Sequence, residues 1–205
     1  MTPQKPSTPV RIAAIQTVSS PDVQANLDIV AGLIAEAAAG GAKLVALPEY
    51  FPLISWDEAA KVRIREAEGA GPLQDFLADA ARRHGVWLIG GTLPLRAEAP
   101  NKVRNTTLVW NPQGQQVARY DKIHLFRFDN GRESYDEARV LESGSQAIAV
   151  QAGALRVGLS ICYDLRFPEL FRTGLRDGAT MFVVMASWPV MRDRHWQILL
   201  QARAI

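Results

Sequence analysis

The sequence predicts an α/β domain in which two β-sheets, with an antiparallel component, lie between helical layers. Three observations predict it. Apolar residues alternate with small or polar ones, at strand period, over residues 10–16 and 155–161, and 43–47 is a further strand-like run. Val23, Leu27, Val30, Ile34 and Ala37, and then Leu73, Phe76, Leu77 and Ala80, recur at helical spacing between such runs. Two further strand-like runs, 105–110 and 116–122, are joined by Asn111-Pro112-Gln113-Gly114, which reads as a hairpin turn.

Each element has a local reason. After the first strand, Ser20 is the predicted N-cap of a helix, with Pro21 in its first turn and Asp22 as an early acid. Gly40-Gly41 ends that helix. The second strand, 43–47, is stopped by Pro48. Residues 72–84 form a helix closed by Gly85, and 86–89 a strand that runs into Gly90-Gly91. After the hairpin, 123–144 reads as a long polar loop without a period, a length that compact domains keep for function or leave disordered. Residues 146–150 read as a strand that turns at Gln151-Ala152-Gly153 into the 155–161 strand. Phe167-Pro168-Glu169 opens a helix, 181–186 is the last strand, and the chain is helical from 192 onward. The charges of Glu58, Arg63 and Glu66 read as a solvated helix face.

Composition narrows the function classes. With 205 residues, 48% hydrophobic and 21% charged, the chain fits one domain with a substantial core, over residues 10–205. Residues 1–9 are polar, carry three prolines and lack an apolar signal core, so they read as a flexible arm on a cytoplasmic protein. The net charge is +2 and no Lys/Arg cluster makes a nucleic-acid footprint. No apolar run reaches membrane-spanning length, so neither nucleic acid nor membrane is an expected partner. One cysteine excludes an intrachain disulfide and a multi-Cys metal site. His84, His124 and His195 match no zinc spacing, and Gly90-Gly91 is no dinucleotide fingerprint, so no metal or cofactor is expected.

That single cysteine, Cys162, follows the 155–161 strand and precedes the helix opened by Pro168. On spacing alone it reads equally as a small buried hydrophobe and as a nucleophile whose thiolate a helix N-terminus favours. The rest of the chain tips the balance. Leu47-Pro48-Glu49-Tyr50-Phe51, Tyr120-Asp121-Lys122-Ile123-His124-Leu125-Phe126 and Cys162-Tyr163-Asp164-Leu165-Arg166-Phe167-Pro168-Glu169 each carry a reactive side chain at or just past a strand end. In α/β folds such ends converge on one crevice. A thiol is only a few per cent thiolate at pH 7 and needs a base or a cation. Glu49 supplies the base, and Lys122 the cation for the sulfur and later for a substrate oxyanion.

Together and in this order, the three segments resemble the nitrilase superfamily of carbon–nitrogen hydrolases, whose Glu-Lys-Cys triad falls on Glu49, Lys122 and Cys162. The resemblance runs from Arg11-Ile12-Ala13-Ala14-Ile15-Gln16 to Gln201-Ala202-Arg203-Ala204-Ile205. The segments around Lys122 and Cys162 are similar to those of the omega-amidases and deaminated-glutathione amidases. The resemblance implies an α-β-β-α sandwich, a homodimer or higher homo-oligomer, and cofactor-independent hydrolysis of a small carboxylate-bearing amide through a thioester, with release of ammonia. It implies a second glutamate in the loop after the lysine, for which Glu137 is the candidate and Glu133 the alternative. It places the Tyr163 N–H in the oxyanion hole. It also implies several dozen residues beyond Ile205, so the chain is expected to lack the C-terminal part of the family domain.

Alternatives stay open at this stage. Nitrile or N-carbamoyl hydrolysis fits the same motifs, a Cys-His hydrolase would use His124 or His195, and a non-catalytic binding or scaffold protein would keep the fold. Arg166 either takes a substrate carboxylate as a planar fork or braces the turn through Asp164 or Glu169. Asp164 reads as a structural acceptor and His124 as a packed histidine. His195 and Trp196 read as structural or oligomer-surface residues, and Trp188 as a pocket wall.

Overall fold

The computed structural model describes residues 9–205, so the first eight positions of the expected arm lie outside the described residues. The chain runs β1 (Ile12–Ala14), α1 (Val23–Ala39), β2 (Leu44–Ala46), α2 (Ala60–Arg63), α3 (Pro72–His84), β3 (Trp87–Ile89), β4 (Leu93–Arg96), β5 (Val103–Trp110) and β6 (Gln116–Asp121). It continues through β7 (Arg127–Asp129), β8 (Ser134–Asp136), β9 (Ala149–Ala152), β10 (Leu155–Ile161), α4 (Pro168–Arg176), β11 (Met181–Met185) and α5 (Asp193–Ala204). Three short 3₁₀ turns cover Glu137–Arg139, Cys162–Arg166 and Val190–Arg192.

The expected sandwich is present. The larger sheet has six strands, with β1, β2 and β3 parallel and β5 antiparallel to β3, β4 and β6. The smaller sheet orders β11-β10-β9, with β10 and β11 parallel. Strand alternation sorts the core into two layers. Val45, Leu88 and Leu108 face Leu27, Val30 and Ile34 of α1 and Leu73 and Leu77 of α3. Leu44, Ala46, Ile89 and Val109 face the other way, onto Val157, Leu159 and Ile161 of β10. Beyond the smaller sheet, the Phe182 ring is wedged between Gly158 of β10 and Gly174 of α4, where a Cβ at either glycine would collide with it.

Several expectations shift in detail. The N-cap of α1 is Asp22, whose carboxylate accepts from the Ala25 N–H at 3.1 Å, and not Ser20. Ser20 lies outside the helix because the buried Asn26 side chain takes its backbone N–H at 2.9 Å, which fixes the chain entry. β4 was not legible, since its Leu-Pro-Leu-Arg is short and follows the two glycines directly. The strand expected over 146–150 is displaced to β9, where Val150 pairs with Val157. Residues 123–144 are not one unstructured loop: β7 and β8 pair as a hairpin, and Glu137 opens a 3₁₀ turn.

The expected solvated face of Glu58, Arg63 and Glu66 is also corrected. α2 spans only residues 60–63, and Glu66 is buried. Its carboxylate accepts from the Leu73 and Gln74 N–H groups at 2.6 and 3.2 Å. It thus caps α3, whose own N-cap position is a glycine with no side chain to do so.

Candidate active site

The strand ends converge as the α/β pattern predicts. Glu49 follows β2, Lys122 follows β6, Cys162 follows β10 and Ser187 follows β11. Two backbone features mark the spot. Tyr50 and Cys162, with φ of 55° and 47°, are the only non-glycine residues of positive φ among the described residues. Such conformations cost free energy and cluster at functional sites. Gly91, itself at φ 54°, lets the β3–β4 link approach the Pro48 carbonyl so closely that a Cβ would collide with it. That contact fixes the turn that presents Glu49.

Glu49 and Lys122 are each almost completely buried and form an ion pair, Nζ to Oε1, at 3.1 Å. Glu49 Oε1 also accepts from Asn105 Nδ2 at 2.8 Å, and Oε2 accepts from the Ser187 N–H at 2.9 Å. Lys122 Nζ contacts Glu137 at 2.9 Å, so one ammonium sits between two carboxylates. Glu137 is held in turn by the Phe126 N–H at 2.7 Å and the Tyr50 hydroxyl at 3.2 Å. Of the two glutamates considered for this loop, Glu137 is the buried one and Glu133 is exposed. The 3₁₀ turn that opens at Glu137 brings it there.

The electrostatics follow from burial and from these charges. Burial alone would push the Lys122 pKa down, but Glu49 and Glu137 outweigh it and the net shift is upward. The Cys162 thiol is pushed well above its ordinary range, first by burial and then by the Glu49 carboxylate, with Lys122 opposing. The sequence expectation that a helix N-terminus favours the thiolate is therefore corrected. α4 begins only at Pro168, after an intervening 3₁₀ turn, and burial together with the Glu49 carboxylate outweighs the Lys122 cation at the sulfur. Tyr50 is likewise raised, by burial and then by Glu137 and Glu49.

Cys162, Glu49 and Glu137 line a cavity of about 490 Å³, together with Tyr163, Arg166 and Trp188. The Cys162 Sγ lies 4.0 Å from the Ser187 carbonyl. Tyr163 is in the first turn of the 3₁₀ segment, where helical N–H groups have no partner within the helix. Arg166 does not brace the turn through Asp164 or Glu169. Its guanidinium lies over the Trp188 ring at 5.4 Å and contacts His195 Nδ1 at 3.3 Å. Trp188 lines the cavity, with its indole N–H on the Arg192 carbonyl at 2.9 Å.

Asp164 is the structural acceptor that the sequence suggests. It is fully buried and accepts from the Tyr120 hydroxyl at 2.6 Å, the Ile161 N–H at 2.9 Å and both the backbone N–H and ring Nδ1 of His124 at 3.0 and 2.6 Å. His124 stacks on Phe167 at 3.6 Å. Neither His124 nor His195 is hydrogen-bonded to Cys162, so the arrangement does not support a Cys-His hydrolase. Among the described residues, no group of three or more His, Cys, Asp or Glu side chains is placed to hold a metal ion. No helix among them is long and apolar enough to cross a membrane.

Sequence reasoning missed four participants. Tyr50 and Asn105 hold the two glutamates, and Lys61 and Arg192 line the cavity. Tyr50 had a signal, since it directly follows Glu49. Asn105 is a polar residue facing inward on a strand, which the pattern alone does not mark.

The carbon–nitrogen hydrolase family model matches residues 11–205, nearly the whole chain. The chain belongs to the carbon–nitrogen hydrolase family. It is 36% identical to deaminated glutathione amidase from Yersinia enterocolitica, over 95% of this chain and 68% of that protein. It is 34% identical to omega-amidase NIT2 from Homo sapiens, over 97% of this chain and 71% of that protein. The crystal structure of Saccharomyces cerevisiae Nit3, a member of branch 10 of the nitrilase superfamily, superposes with a TM-score of 0.84 at 28% identity, over 96% of this chain and 71% of that one. The expected family, its sandwich fold and an enzyme of the carbon–nitrogen hydrolase class thus stand. So does the similarity to omega-amidases and deaminated-glutathione amidases.

Proposed function

We propose that this carbon–nitrogen hydrolase cleaves the primary amide of a small carboxylate-bearing acid through a thioester on Cys162, without a cofactor. The observation that carries the reading is the buried Glu49 carboxylate, pinned by Lys122, Asn105 and the Ser187 N–H, beside the Cys162 thiol in one cavity. Because burial and Glu49 keep the thiol protonated near neutral pH, the proton leaves as the sulfur attacks rather than beforehand. The Sγ forms a bond to the amide carbon while Glu49 takes the thiol proton. The oxygen that gains the electron pair is held by the Lys122 ammonium and the Tyr163 N–H.

Collapse of this adduct breaks the C–N bond, and the Glu49 proton goes to the departing nitrogen, which leaves as ammonia. Water then attacks the thioester, again giving a proton to Glu49. The acid is released and that proton returns to the sulfur. Glu137 acts as a positioning residue through Lys122. Arg166, against Trp188, takes the substrate carboxylate as a bidentate fork. The names of the Yersinia and human relatives support an amide substrate.

The test is a panel of ω-amides of dicarboxylic acids with their nitrile and N-carbamoyl counterparts, followed by acid quench and mass spectrometry of the protein. The expected result is ammonia release from the amides and an acyl mass on the peptide carrying Cys162. Turnover of nitriles or carbamoyl compounds in place of amides overturns the substrate assignment, and turnover in Cys162→Ala overturns the thioester.

A further inference from the structure

Lys61 is not explained by the amide chemistry above. It lies on the short α2, half-buried, and its Nζ sits 4.1 Å from the centre of the Tyr50 ring at the wall of the active-site cavity. Among the described residues it makes no ion pair and no side-chain hydrogen bond. The two carboxylates of the cavity are not free to serve it. Glu49 is taken up by Lys122, Asn105 and Ser187, and Glu137 by Lys122, Phe126 and Tyr50.

Burial lowers the Lys61 pKa, with Glu137 and Glu49 only partly opposing. A half-buried ammonium whose only close partner is an aromatic face is under-satisfied, and an arriving anion relieves it. Lys61 is also separate from Arg166. The arginine packs against Tyr163, Trp188 and His195, and the lysine against Tyr50. One cavity therefore offers cations without carboxylate partners on two different walls.

We propose that Lys61 is a specificity-determining residue that takes a second substrate carboxylate, distinct from the one at Arg166, so that the preferred substrate is an amide bearing two carboxylates. This rests on the amide-hydrolase reading and narrows its substrate class. The Tyr50 ring orients the ammonium and shields one side of it from water. Because Tyr50 also holds Glu137, a carboxylate at Lys61 sets the substrate against the same wall that positions Lys122.

The test compares three amides with the same amide end: glutaramate, its methyl ester, and 3-carboxyglutaramate, which adds one carboxylate. Wild type is expected to favour 3-carboxyglutaramate over glutaramate by about 10- to 100-fold in kcat/KM, the range for a charge-assisted hydrogen bond. Lys61→Met, of similar length, should erase that preference and leave the ratio of glutaramate to its ester unchanged. Lys61→Arg should restore most of it, and thermal melts must show both variants folded.

The inference is overturned if Lys61→Met keeps the preference, if wild type has none, or if the substitution lowers all three substrates equally. A second measurement is independent of turnover: calorimetric binding of propane-1,2,3-tricarboxylate against glutarate. Tighter binding of the tricarboxylate that is lost in Lys61→Met supports the inference even if no amide is hydrolysed, an outcome that would sink the amide reading alone. Equal binding in wild type and Lys61→Met overturns it.

Discussion

The Lys122 ammonium and the Glu49 carboxylate meet 3.1 Å apart with both side chains 1% exposed, and Glu137 closes on the same ammonium from another side at 2.9 Å. Removing one partner of a buried ion pair leaves uncompensated charge, a loss of about 3–5 kcal/mol. Here the loss falls on two carboxylates. Lys122→Met should therefore lower the thermal midpoint clearly and reduce kcat by about 10²–10³ as an oxyanion donor is lost. A variant as stable as wild type would show that the glutamates find other partners. Unchanged kcat would remove Lys122 from the chemistry.

Cys162 sits at φ 47°. Alanine carries the same steric penalty in that region and glycine does not. Cys162→Ala and Cys162→Gly should both abolish turnover, while the glycine variant is the more stable by about 1 kcal/mol. Denaturant melts of the two variants check the order, and the reverse order would mean that the local backbone relaxes when the thiol is removed.

The raised Cys162 pKa has a signed consequence for pH dependence. Above the unfolded thiol's value of about 8.5, the unfolded chain loses that proton while the folded chain keeps it. The stability contributed by the protonated thiol is fully present below that value and is lost as pH rises from there toward the folded pKa. Melts from pH 7 to 10 should decline, and Cys162→Ala should remove the part that begins near pH 8.5. Tyr50, also raised, contributes only from about pH 10 upward. Iodoacetamide should react slowly at pH 7, and more slowly still in Lys122→Met, because the cation that opposes the upward shift is gone. Fast alkylation at pH 7 would contradict the raised pKa.

Asp164 accepts from four donors contributed by Tyr120, Ile161 and His124 while itself 0% exposed. Asp164→Ala would strand those donors and should destabilise the fold by on the order of 3 kcal/mol or more. The loss should appear in the melt as well as in kcat, since Ile161 precedes the thiol. A normal melt with low kcat would instead mark a direct part in the chemistry.

Arg166→Lys keeps the charge at the cavity wall but loses the planar fork. It should raise KM for an ω-amide acid about 10-fold or more and change its neutral methyl ester little. Equal effects on acid and ester would place the carboxylate contact elsewhere.

The sequence by itself determined most of the order of elements and the positions of the three reactive side chains, though not β4 or the β7–β8 hairpin. Alternation over 155–161 delivered β10, and Pro72 with Gly85 delimited α3 at both ends, because period, proline and glycine act through the local backbone. Glu49, Lys122 and Cys162 were legible because each follows a strand inside a recognisable segment. What only the tertiary structure decided depends on residues far apart in the chain. Glu66 turned from a surface charge into the cap of α3 because the fold buries its carboxylate against the Leu73 N–H, and Ser20 yielded its cap to Asp22 because Asn26 takes the Ser20 N–H while Asp22 takes that of Ala25. The segment 123–144 had no period to read, yet Glu137 lands on Lys122 because its 3₁₀ turn closes against Phe126. The fate of the thiol proton was undecided in the sequence for the same reason. A pKa is set by burial and by the surrounding charges, and packing buried that sulfur in one cavity with the Glu49 carboxylate.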